Sequence, residues 1–86
     1  MISSFVKSNF AQFTDERAGE VEPLLSCMEV LVKGGYKEAV LDLLDVLCDI
    51  YGDYLTKTGR KITQETIKNW DELENKIHES YNEPNL

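Results

Sequence analysis

Cations, histidine and sulfur are all scarce in this 86-residue chain, and each shortage removes a class of function. Nine lysines and arginines stand against sixteen aspartates and glutamates, a formal charge of −7. A binder of nucleic acid or of an anionic membrane needs a basic patch to displace counterions, so neither is expected as a direct partner. Two cysteines, Cys27 and Cys48, are too few for a disulfide scaffold, and their apolar neighbours predict buried free thiols. The one histidine, His78, has no second His or Cys at ligand spacing, which leaves a packed or solvated side chain. A Gly-rich phosphate loop is absent. Residues 49–61, DIYGDYLTKTGRK, lack the alternating Asp/Asn and the terminal Glu of a calcium loop. No apolar run approaches the roughly 20 residues needed to cross a bilayer. The start, MISSFVKSNF, has no charged segment leading into an apolar one, so a signal peptide is not expected. These absences predict a cytoplasmic protein with no metal, no cofactor and no catalysis.

What remains is the composition of an ordinary globular domain, 42% apolar and 29% charged, of a length that makes one core and one domain, residues 1–86. The pattern is helical throughout, with no strand-like alternation and no repeat. Ile2, Phe5, Val6, Phe10 and Phe13 recur at helical spacing and predict a first helix over residues 3–13, its aromatic stripe in the core. Residues 14–22, TDERAGEVE, read as a polar connection. Pro23 suits the first turn of a second helix, residues 24–33, whose apolar residues cover most of its circumference and make it the most buried element expected. Lys33, Gly34 and Gly35 are a stop signal, so the second and third helices form a tight antiparallel hairpin. The third helix spans Tyr36 to Leu55, with Gly52 positioned to kink or end it. Residues 56–61, TKTGRK, read as a loop. Thr63 caps a fourth helix with Ile62 and Ile67 as a hydrophobic staple, and Ile67, Trp70, Leu73, Ile77 and Tyr81 form its seam. The tail after Tyr81 is expected to fray. The fold class predicted is all-α, a compact four-helix bundle around a central helical hairpin.

The third helix carries the one unusual surface. At 100° per residue Glu38, Asp42, Asp45, Asp49 and Asp53 fall within about 80° of one another, opposite Val40, Leu43, Leu44, Leu47 and Ile50. No Lys or Arg is interleaved in the row, although like charges one turn apart cost a few tenths of a kcal/mol per pair. The charge is also lopsided. Residues 15–55 hold ten acids against three bases, net −7, and residues 56–86 hold six against five, net −1. Such a field steers a basic partner to one side. Tyr51 and Tyr54 adjoin the row, where they serve either as contact residues or as the edge of the core. The partner-binding candidates are therefore Glu38, Asp42, Asp45, Asp49, Asp53, Tyr51 and Tyr54. The alternative for the row is a plain solvated helix face.

The segments LVKGGYKEAVLDLLDVL and ITQETIKNWDEL, within residues 31–73, resemble a pattern in small helical bacterial immunity proteins. These are the partners of polymorphic toxins of the Maf and contact-dependent growth-inhibition types. Gly34, Ala39, Leu44, Asp45, Leu47, Ile62 and Thr63 match. Gly35 stands where an acidic residue is usual, and Val40 replaces a leucine. The resemblance implies no catalysis. It implies a small acidic protein that blocks a cognate toxin, often a nuclease, by binding its active site or an adjacent surface. Two other readings fit the same sequence: a structural or regulatory helical module acting as a homodimer or complex subunit, and a phage-type nucleic-acid mimic.

Overall fold

The computed structural model describes residues 2–81, and every regular element among them is a helix. Helix α1 runs Ile2–Asn9, α2 Ala11–Glu16, α3 Ala18–Gly34, α4 Lys37–Thr58 and α5 Gln64–Tyr81. The all-α class holds, but five helices replace the expected four-helix bundle. The tail expected to fray lies outside the described residues.

The extra element comes from the N-terminal third. The backbone leaves helical geometry at Phe10 (φ −129°, ψ 42°) and again at Arg17 (φ −118°, ψ 31°). Hydrogen bonding nevertheless continues across both kinks, from the Phe10 amide to the Val6 carbonyl and from Arg17 to Phe13. Residues 14–22 are therefore helical rather than a connection. Their few apolar residues are enough to hold them, because Thr14 is buried with its hydroxyl donating to the Ala11 carbonyl at 3.0 Å, and Val21 is fully buried. Ion pairs Lys7–Glu22 and Arg17–Glu20 occupy the polar side. Pro23 consequently sits inside α3, five residues past its start, where it forgoes the amide bond that an interior helical residue makes.

Both glycine stops that shape the chain end a helix in the same way. Gly35 takes the left-handed conformation (φ 79°), its amide bonding to Val32 and the Tyr36 amide to Leu31. Gly59 (φ 70°) repeats the arrangement with bonds from Gly59 to Thr56 and Arg60 to Leu55. The stop for α4 is thus Gly59, and Gly52 lies within the helix. It neither ends α4 nor takes a positive φ, because an interior glycine adopts helical angles at a propensity cost of only about 1 kcal/mol. The Gly35 turn folds α3 and α4 into the expected hairpin, the most extensive helix pairing in the molecule. At the other turn the Thr63 hydroxyl accepts the Thr66 amide at 3.2 Å, so the predicted cap for α5 is in place.

The core is narrower than the apolar patterns of α3 and α4. Val21, Leu25 and Met28 alone are buried on α3, against Val40, Leu44, Leu47, Tyr54 and Leu55 on α4. Helix α4 therefore contributes more buried residues than α3, the element expected to be the most buried. In a bundle this small each helix has one stripe covered by neighbours, and apolar residues outside it remain in solvent. Cys27 and Cys48, expected to be buried, are both exposed for this reason. Tyr36 at 62%, Ile62 at 60% and Ile67 at 45% exposure stay at the surface as well. The seam of α5 accordingly starts at Trp70, runs through Leu73 and Ile77, both fully buried, and ends at the partly buried Tyr81.

Five rings close one end of the core. Phe10 lies 4.7 Å from Trp70 and 5.5 Å from Tyr51, and Phe13 lies 4.9 Å from Tyr51 and 5.3 Å from Tyr54, centroid to centroid. Edge and tilted packing at these distances favours the quadrupoles of the rings and adds to their area burial. The cluster ties the α1–α2 junction to α4 and α5. It places the N-terminal aromatic stripe in the core rather than at an interface.

Candidate protein-binding face

Helix α4 has its carboxylates opposite its buried stripe. Glu38, Asp42, Asp45, Asp49 and Asp53 are all exposed. From Glu38 to Asp49 the row extends about 16 Å along the axis at 1.5 Å per residue. The five do not have the same surroundings. Asp53 accepts from Arg17 at 3.1 Å and stands 3.7 Å from Lys57, so tertiary structure has partly neutralised it. Among the described residues Glu38, Asp42, Asp45 and Asp49 make no ion pair. The uncompensated row is therefore the first three turns of α4.

The aromatic candidates go elsewhere. Tyr54 is only 3% exposed and Tyr51 is half-buried, and both belong to the ring cluster. Tyr54 thus offers no ring to a partner, and Tyr51 offers an edge. Val46 takes that place, one turn from both Asp42 and Asp49 and 45% exposed. Its position was legible on the helical projection, but an apolar residue at the margin of an apolar half reads as core edge until the neighbouring helices are placed.

Glu74 on α5 is the other residue that sequence reasoning missed. Partial desolvation raises the Cys48 thiol above its usual pKa, and the carboxylates of Asp45, Asp49 and Glu74 add to the rise. Glu74 therefore lies close enough to extend the negative field of α4 across to α5. Nothing in the sequence sets the register of α5 against α4, so no pattern pointed to it. The same effect keeps Cys48 largely in the thiol form at neutral pH, which makes it a poor nucleophile despite its exposure.

At the opposite end, the Tyr54 hydroxyl is buried, and the Glu16 carboxylate is the acceptor that acts on it. Burial pushes the Tyr54 phenol above its usual pKa. The Arg60 guanidinium opposes that rise and the Glu16 carboxylate reinforces it. Arg17 and Arg60 both stand over the Tyr54 ring, at 5.7 and 5.9 Å from its centroid.

The described residues contain no group of three or more His, Cys, Asp or Glu side chains arranged to hold a metal ion, and no helix long and apolar enough to cross a membrane. No family model matches the chain, and neither a curated protein nor a solved structure matches it.

Proposed function

We propose that this protein is a small acidic inhibitor that neutralises a cognate bacterial toxin by placing the α4 carboxylate row against a basic surface of that toxin. The observation that carries the reading is the run Glu38, Asp42, Asp45, Asp49, exposed and free of any ion pair among the described residues. A nuclease that grips phosphates presents a basic groove, and carboxylates about one helical turn apart suit such a groove. Val46 supplies an apolar contact within the row, and Glu74 widens its field. The resemblance of residues 31–73 to toxin-immunity proteins supports the same reading independently of charge.

The test is binding between the purified chain and the product of the reading frame immediately upstream of its own. Association is expected to be tight, to weaken steeply with salt, and to fall at least tenfold in the Asp42→Asn/Asp45→Asn/Asp49→Asn variant. A control variant on α5, Asp71→Asn/Glu72→Asn, should bind like the parent. Equal affinity of parent and triple variant rules the α4 row out as the contact surface. A stable dimer of the chain alone, insensitive to salt in sedimentation, argues for a self-associating module instead.

A further inference from the structure

Two of the chain's cations, Arg60 and Lys61, meet at one cavity. It measures about 240 Å³ and lies where the α1–α2 junction meets the end of α4 and the α4–α5 connection. Phe10, Phe13, Tyr51 and Tyr54 form its apolar wall, and Arg60 and Lys61 line it as well. Among the described residues neither Arg60 nor Lys61 makes an ion pair. The Arg60 guanidinium donates to the Gln12 side chain and keeps further N–H donors for other acceptors. None of the lining residues belongs to the α4 row, so the cavity is a separate feature of the molecule.

We propose that this cavity binds a small aromatic carboxylate, its ring against Phe10 and Tyr51 and its carboxylate on Arg60 and Lys61. Size sets the first limit. At about 240 Å³ the space falls below the roughly 300–1,000 Å³ of sites for larger ligands, so the occupant is of single-ring size. Charge sets the second. In a chain of net −7, an adjacent Arg and Lys without counter-ions select an anion, and the planar guanidinium fork matches a carboxylate. Arg17, the other cation near Tyr54, is already engaged by Glu20 and Asp53. Glu16 is the one carboxylate that acts on Tyr54, and its charge disfavours a dianion such as phosphate more than a monoanion. The wall chemistry sets the third, since edge and face contacts among rings reward an aromatic body over an aliphatic one.

The experiment is an NMR titration of the ¹⁵N-labelled full chain with benzoate, with benzyl alcohol and inorganic phosphate as comparators at matched ionic strength. Benzoate is expected to give saturable shifts at the Gln12, Arg60, Lys61 and Thr66 amides. Benzyl alcohol and phosphate should each bind at least tenfold more weakly. Arg60→Gln should weaken benzoate at least tenfold while leaving benzyl alcohol unchanged. If Arg60→Gln fails to fold, Lys61→Gln decides the matter by the same criterion. The proposal is overturned if benzoate gives no saturable shift at these amides, if phosphate reproduces its effect, or if the variants bind benzoate as the parent does.

Discussion

Replacing Asp42, Asp45 and Asp49 with asparagine takes the charge out of the middle of the α4 row while keeping side-chain size and helix propensity close to the parent. All three side chains are exposed and none is ion-paired among the described residues, so the substitutions remove no stabilising contact of that kind. They relieve the repulsions Glu38–Asp42, Asp42–Asp45, Asp45–Asp49 and Asp49–Asp53, each three or four residues apart. At roughly 0.2–0.5 kcal/mol per pair the gain is about 1–2 kcal/mol at low ionic strength. The last pair contributes least, because Arg17 and Lys57 already offset the charge of Asp53. Urea unfolding of parent and variant in low salt is the assay. With a slope of about 1–3 kcal/mol per molar urea for small proteins, the midpoint should rise by roughly 0.5–1 M. In about 1 M salt, where the screening length is about 3 Å, most of the difference should vanish. A variant that is less stable than the parent, or whose advantage persists in high salt, refutes the view that the row is an uncompensated charge kept at a cost to stability.

Three further outcomes follow from the packing. Gly52→Ala should stabilise by about 1 kcal/mol, since a methyl there meets nothing within 4 Å in a helix interior, whereas Gly59→Ala should destabilise by about 1 kcal/mol or more because its φ is 70°. Thermal unfolding of the pair checks both signs at once. Leu73→Ala should cost about 2–5 kcal/mol, and Ile67→Ala, at 45% exposure, should change the urea midpoint little although both lie on the same predicted seam. Tyr54→Phe should change stability at pH 7 by about 1 kcal/mol or less, because the buried hydroxyl it removes is engaged only with the Glu16 carboxylate. The folded-state pKa of Tyr54 is raised, so the parent should hold its stability below the unfolded value near pH 10 and lose it as pH climbs further. The Phe variant should lose less between pH 9 and 11, which unfolding curves across that range will show.

The helical class, the α3–α4 hairpin, the Thr63 cap and the acidic face of α4 were legible in the sequence because each rests on local physics. Helical period assigns faces, glycine after a cation stops a helix, and a threonine hydroxyl caps the next one, all within a few residues of chain. The choice between Gly52 and Gly59 as the end of α4 was not local, since both glycines tolerate either role and packing of Tyr54 and Leu55 into the core carries the helix past the first. The kinks at Phe10 and Arg17 belong to the same kind, because they set α1 against α3 and α5 and α2 against α3 while Phe10 and Phe13 meet Tyr51 of α4. Burial was decided there too. Thr14 and Val21 made a helix of a segment that reads as polar, while Cys27, Cys48 and Ile67 were left in solvent by the limited area that four neighbours can cover. The sequence by itself thus determined the helices and the row of acids. Only the tertiary structure decided which of those acids keep an uncompensated charge, for Arg17 reaches Asp53 across 36 residues of chain and nothing among the described residues reaches Asp42, Asp45 or Asp49 as an ion pair.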